Sequence, residues 1–145
     1  MKRKQPQPSE PLDVAARALR YRDRSRRQVD ERLARAGVEA DQRADALAAL
    51  ERIGYLDDAR FAGRRAASLA DRGYGDEAIS ALLTADGVAA DVAAAAVSAL
   101  RPEAERAAEI VAKRGPSPQT AARLARKGFG EDAVEAAAGE FATDP

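Results

Sequence analysis

One pattern recurs along this chain of 145 residues. Val29-x-x-x-Leu33-x-x-x-Gly37-Val38 is matched by Ile79-x-x-x-Leu83-x-x-x-Gly87-Val88, and it returns in weaker form as Thr120-x-x-x-Leu124-x-x-x-Gly128-Phe129. Downstream positions keep step. Leu47 and Leu50 fall 9 and 12 residues past Val38, Val97 and Leu100 fall likewise past Val88, and Ala138 and Phe141 past Phe129. The glycine stops one helix, the apolar residue after it tucks against that helix's last turn, and the next helix crosses back. Each unit is too small to bury much surface alone, so neighbouring units are expected to stack. The spacing is 50 residues and then 41, so the repeat is imperfect.

Residues 1–11 are polar, basic and proline-rich, and Pro6, Pro8 and Pro11 forbid a regular helix, which predicts a flexible tail. Unit one is expected over 12–54. Its first helix runs from about Asp13 to Asp23 with Val14, Ala18 and Tyr21 on one face. Ser25-Arg26-Arg27-Gln28 is a capping box that starts a second helix carrying Val29, Leu33 and Ala36 inward. A third, from about Ala40 to Ile53, places Ala46, Leu47, Leu50 and Ile53 on its apolar side.

Unit two is expected over 55–101. Its helices carry Ala62, Ala66 and Leu69, then Ile79, Leu82 and Leu83, then Val92, Val97 and Leu100. Gly73-Tyr74-Gly75 separates the first two, with Gly75 or Asp76 as the next cap. Unit three is expected over 102–145, opened by Pro102 at the first helical position. It carries Ala107, Ile110 and Val111. Ser117 caps its second helix with Pro118 at N1, and Val134 and Phe141 are the only large apolar residues of its last. This unit is expected to fray first.

Composition agrees with an all-α repeat protein. Hydrophobic residues make up 46% of the chain, but more than half of them are alanine, which favours helix and buries little surface. Aromatics at 4% argue against a sheet protein. There is no cysteine and no histidine, which removes thiolate and imidazole chemistry, disulfides and the usual zinc ligands. Neither a Walker-type glycine loop nor a dinucleotide fingerprint is present. Asp57-Asp58 is a tempting acidic pair, and adjacent carboxylates at a helix start read as caps. We expect no enzyme, no cofactor and no metal. No apolar run approaches the roughly 20 residues of a membrane span, so a soluble cytoplasmic monomer is the expectation.

Binding is the better class. The 24 basic and 24 acidic residues cancel, yet residues 1–35 hold 11 Lys/Arg against 5 Asp/Glu. Arg20, Arg22, Arg24, Arg26 and Arg27 crowd the end of the first helix and the start of the second, and Arg32 and Arg35 extend the patch. Arginine offers a rigid donor fork suited to phosphates and carboxylates alike. Arg22, Arg24, Arg26, Arg27, Arg32 and Arg35 are therefore the candidate basic face. Arg64, Arg65, Arg123, Arg126 and Lys127 are secondary basic candidates. Few aromatics are available to stack bases, and the second helices do not form a base-reading code, so any DNA contact would be nonspecific and salt-dependent.

The junction between units one and two reads Gly54-Tyr55-Leu56-Asp57-Asp58-Ala59-Arg60-Phe61-Ala62. Gly54 suits a helix end, Tyr55 and Leu56 can fold back on that helix, Asp57 or Asp58 caps the next, and Phe61 is a large buried anchor. Tyr55, Leu56, Asp58 and Phe61 are expected to weld the two units. Asp57, Arg60 or Arg64 is the sharper guess for a partner contact.

This segment resembles the signature of the RecX family of bacterial RecA regulators. So do Ala18-Leu19-x-x-Arg22-x-Arg24-Ser25-x-x-Gln28-Val29-x-x-x-Leu33-x-x-x-Gly37, Gly73-Tyr74-Gly75 with Ile79-x-x-x-Leu83, and Arg123-Leu124-Ala125-Arg126-Lys127-Gly128-Phe129. Gln28 stands where the family commonly has Glu. The resemblance covers about Val14 to Phe141. It implies three tandem three-helix repeat units in an elongated, curved molecule that binds along a RecA–DNA filament. There it would block filament growth and damp ATP hydrolysis, strand exchange and co-protease activity. Direct contact with single- or double-stranded DNA is a secondary implication. The competing readings are a nonspecific nucleic-acid-binding helical protein without a RecA partner, and a purely structural helical adaptor.

Overall fold

The protein is seen in a computed structural model that describes residues 10–21 and 23–139. Among these residues every regular element is helical. They are α1 (Glu10–Tyr21), α2 (Arg26–Arg35), α3 (Ala40–Arg52), α4 (Asp58–Asp71), α5 (Asp76–Ala85), α6 (Ala90–Ser98), α7 (Glu103–Arg114), α8 (Pro118–Arg126) and α9 (Glu131–Ala137). Pro6, Pro8 and Phe141 lie outside the described residues, while Pro11 falls in the first turn of α1, where a missing N–H costs nothing. The recurring glycines Gly37, Gly87 and Gly128 all take positive φ, at 85°, 97° and 88°. After Gly37 the Val38 N–H reaches back to Leu33 O, and after Gly128 the Phe129 N–H reaches Leu124 O (3.1 and 3.0 Å). These are six-to-one closures of the Schellman type, so one sequence signal yields one turn geometry.

The chain folds as two compact units, Met1–Phe61 with Asp86–Val88, and Ala62–Ala85 with Ala89–Pro145. In the first, α1, α2 and α3 pack against one another around Ala15, Val29, Leu33, Ala46, Leu47, Leu50 and Leu56. In the second, α7, α8 and α9 enclose Ala107, Ala121, Leu124, Phe129 and Ala137, flanked by Ile110, Val111 and Val134. Ala62, Ala66, Leu69, Ile79 and Leu83 are buried as the spacing predicts.

Several expectations need correction. Ile53 does not line the apolar side of α3; the helix ends at Arg52, and the side chain is 63% exposed. Ala36 is exposed because it is already the C-cap of α2. In α6 the buried residues are Ala93 and Ala96, with Val97 and Leu100 only half-buried. The downstream offset that holds Leu47 and Leu50 in the core therefore does not carry over to the second repeat. Pro102 is the N-cap of α7 rather than its first helical residue.

Candidate functional site

Ser25 begins α2 with the capping box that the sequence specifies: its Oγ accepts from Gln28 N, and Gln28 Oε1 accepts from Ser25 N. Ser25 is fully buried because its Oγ also donates to the Asp86 carbonyl. The next backbone donor, Arg26 N–H, is taken by Asp58 Oδ1 at 2.7 Å. The paired aspartates thus cap two different helices. Asp57 Oδ1 accepts from Arg60 N at the start of α4, and Asp58 serves α2.

Arg60 turns back and donates from Nη1 to Gly54 O (2.8 Å) and from Nη2 to Tyr55 O (3.1 Å), covering carbonyls beyond the end of α3. Gly54, at φ 81°, makes the turn, and Tyr55 N–H returns to Leu50 O. Leu56 and Phe61 are buried as expected. Tyr55 is not a weld. It is 58% exposed, two residues from exposed Ile53. The turn that closes α3 points its hydrogen bonds inward and leaves these two large side chains in solvent. The junction is a loop held by caps and by Arg60, displaying two large side chains.

The basic face divides in two. Arg22 lies outside the described residues. Arg26 pairs with Glu51 (2.9 Å), and Arg27 pairs with Glu31 one turn along (3.4 Å). Arg24, Arg64 and Arg65 are also engaged. Arg32 and Arg35, in the last turn of α2, are exposed and make no ion pair among the described residues. A charge-reversed Arg26 would lose its pair with Glu51 and face it with like charge, whereas charge reversal at Arg32 or Arg35 breaks no ion pair among the described residues.

The second unit repeats the capping device with other residues. Glu103, at the start of α7, accepts from Asp76 N with Oε2 (2.8 Å) and from Gly130 N with Oε1 (2.6 Å), so one carboxylate serves the N-termini of α5 and α9. Arg106 is 9% exposed. It donates to Asp76 Oδ1, Arg101 O and Tyr74 O, and its guanidinium lies over the Phe129 ring. Lys127 Nζ sits 4.1 Å from the centre of the Tyr74 ring. Beside these residues Ala70, Asp71, Glu109, Ile110 and Lys113 help line a depression of about 370 Å³. Within it the hydrogen bond from Arg101, and then that residue's charge, hold the Glu109 carboxyl below the usual carboxylate range. Among the described residues no cluster of acidic, His or Cys side chains could hold a metal ion. No helix there is long and apolar enough to cross a membrane.

No family model matches the chain. Curated proteins do. The regulatory protein RecX of Chromohalobacter salexigens is 42% identical over 113 residues, 77% of this chain and 74% of its own length. That of Stenotrophomonas maltophilia strain R551-3 is 30% identical over 94% of this chain and 90% of its own. The chain belongs to the RecX family. A crystal structure of RecX from Lactobacillus salivarius matches the fold with a TM-score of 0.78 at 17% identity, over 94% of this chain and 97% of that one. A second, of a regulatory protein RecX, matches at 0.73 and 18% identity, over 97% and 83%.

Two residues of this RecX-family chain were not singled out from sequence, Glu103 and Arg106. Arg106 stands one turn before Ile110 and beside Ala107, on the apolar stripe of its helix. A cation inside an apolar stripe was the available signal, since buried charges need partners. Glu103 carried no signal, because its two acceptor bonds reach helices 27 residues away on either side.

Proposed function

We propose that this chain is a non-enzymatic regulator, a cytoplasmic monomer that binds the RecA–DNA filament and restrains it. Filament growth, ATP hydrolysis, strand exchange and co-protease activity are the functions it limits, and DNA repair and recombination are modulated as a result. The partition into three tandem units is part of this reading. Family membership supports the partner, since the curated relatives are named as regulatory proteins. The observation that carries the site is the exposure of Ile53 and Tyr55 on a loop fixed from both sides by helix caps. Protein interfaces centre on a few large side chains, often aromatic, in a polar surround. Arg52 and Arg60 flank this pair in sequence, and Arg32 and Arg35 supply positive charge on α2 that makes no ion pair among the described residues. The contact is thus assigned to Ile53, Tyr55, Arg32 and Arg35, with Arg60 holding the loop in shape.

The test is the single-stranded-DNA-dependent ATPase of RecA, titrated with native protein, an Ile53→Ser/Tyr55→Ala variant and an Arg32→Glu/Arg35→Glu variant. All four substitutions fall on exposed side chains, so circular dichroism should be unchanged. Inhibition by the native chain that is lost in both variants supports the reading. Equal inhibition by all three moves the contact elsewhere, and no inhibition by the native chain removes the regulator.

A further inference from the structure

The loop that closes α3 and the hollow in the second unit each lack what the other offers. Ile53 and Tyr55 are the most exposed large hydrophobic side chains among the described residues. The backbone beneath them is already spent on the fold: Tyr55 N–H is bound to Leu50 O, and Arg60 donates to the carbonyls of Gly54 and Tyr55. Water therefore meets their apolar surface in the free chain, an unfavourable exposure that burial elsewhere would relieve.

The hollow of about 370 Å³ lies wholly within the second unit, between the C-terminal end of α4 and α7. Ala67 and Ala70 stand on the α4 wall, and the half-buried Leu100 and Ile110 supply apolar surface opposite. Alanine at both α4 positions is what leaves the space. Arg106 lines it as well, and its buried Nε–H has no hydrogen-bond partner among the described residues. Most charges at the rim are already used, Arg101 on Glu105 and Glu109, and Arg106 on Asp76. Two are not: Asp71 from α4 and Lys113 from α7 are exposed and make no ion pair among the described residues. The loop carries the reverse pair. Arg52 precedes Ile53 and Asp57 follows Tyr55 by two residues, both exposed and again in no ion pair among the described residues. Asp57 uses only Oδ1, on the Arg60 N–H.

We propose that the hollow of one copy receives Ile53 and Tyr55 of a second copy, so that the free protein masks the loop it uses on its partner. Apolar surface enters an apolar-walled space, Arg52 is matched by Asp71, and Asp57 by Lys113. The contact joins unlike surfaces, the loop of one chain to the hollow of the next, so each chain of a pair keeps one unused half. Two side chains and two rim ion pairs make a contact well below the size of stable interfaces, and a Kd on the order of 0.1 mM follows. The monomer is then the form that meets the filament, and a high local concentration of copies withholds it. This masking role rests on the assignment of Ile53 and Tyr55 to the partner contact; the self-contact does not.

The test is sedimentation equilibrium of the full chain from about 0.01 to 1 mM, a range that brackets this Kd, with no recombinase present. The average mass of the native protein should rise above that of one chain across the range. An Ile53→Ser/Tyr55→Ala variant removes the inserted side chains. An Ala67→Arg variant fills the hollow, engages Asp71 one turn along and repels Arg52. Ala67 is exposed, as are Ile53 and Tyr55, and circular dichroism checks that both variants fold. Each variant alone should stay at the mass of one chain. An equimolar mixture of the two should form a pair, because the first keeps the hollow and the second keeps the loop. A native chain that is monomeric throughout overturns the inference. So does Ala67→Arg associating as strongly as native protein, which would set loop against loop, or a mixture that stays monomeric. The two readings fail separately. Ala67→Arg keeps Ile53, Tyr55, Arg32 and Arg35 and should still inhibit the RecA ATPase, whereas a native chain that self-associates without inhibiting it would leave the contact standing and remove only its masking role.

Discussion

At Gly75 the chain has no room for a side chain. A Cβ there would lie 2.5 Å from the carbonyl carbon and oxygen of Gly128 and from Phe129 N. The approach is this close because the free N–H groups at the start of α5 meet the free carbonyls at the end of α8: Gly75 N–H donates to Lys127 O (2.8 Å) and Glu77 N–H to Gly128 O (3.2 Å). Orphan donors of one helix are satisfied by orphan acceptors of another. Gly75→Ala should therefore force this contact apart and cost about 1–3 kcal/mol, as overpacking against backbone does. Gly63, inside α4 with open space around it, makes the control. Gly63→Ala should stabilise by about 0.4–1 kcal/mol through helix propensity and chain entropy. Urea unfolding of the two variants checks both signs, and equal effects would mean that the Gly75 contact is slack.

At the scale of elements, the helices are started by side chains from distant parts of the chain. Ser25→Ala should cost about 1–2 kcal/mol, because it removes an N-cap and takes a donor from the half-buried Asp86 carbonyl. Arg106→Met should cost about 2–3 kcal/mol by leaving Tyr74 O, Arg101 O and Asp76 unpaired, with the 40% exposure of Asp76 keeping the loss at the lower end. Thermal denaturation measures both. These elements also show what the sequence could and could not convey. The Ser25 box and the Ser117 cap with Pro118 behind it were legible, because a local cap needs only residues three apart. Asp58 was legible as a cap but not as the cap of α2, 32 residues away. Tyr55 was expected to fold back on the preceding helix and help weld the units; the positive-φ turn at Gly54 decided otherwise, spending the Tyr55 backbone on α3 and sending its ring outward. The basic patch near α2 was visible as composition. Which of its arginines are already paired depended on Glu51 and Glu31, and only the fold brings Glu51 near.

For the whole molecule, the two cores are unequal, and the inequality should be measurable. Around α1–α3 the enclosed side chains include Leu33, Leu47, Leu50, Leu56 and Val29, whereas α7–α9 enclose Leu124 and Phe129 among three alanines. At about 25 cal/mol per Å² of apolar surface, trading leucine for alanine at several positions lowers the local driving force by a few kcal/mol. α9 adds a second weakness: it has seven residues, and its start at Gly130 is held by Glu103 Oε1. Hydrogen exchange should therefore protect the amides of α2 and α3 more than those of α8 and α9, with α9 opening first. Glu103→Gln keeps the shape but weakens the acceptor, and it should speed exchange in α9 and in the first turn of α5 while leaving α2 as it was. Exchange in α9 as slow as in α2 would mean that the capping network offsets the thinner core. If the ordering holds, opening of α9 leaves the Ile53–Arg60 loop formed, so the surface proposed to meet a partner lies beside the better protected of these two helix trios.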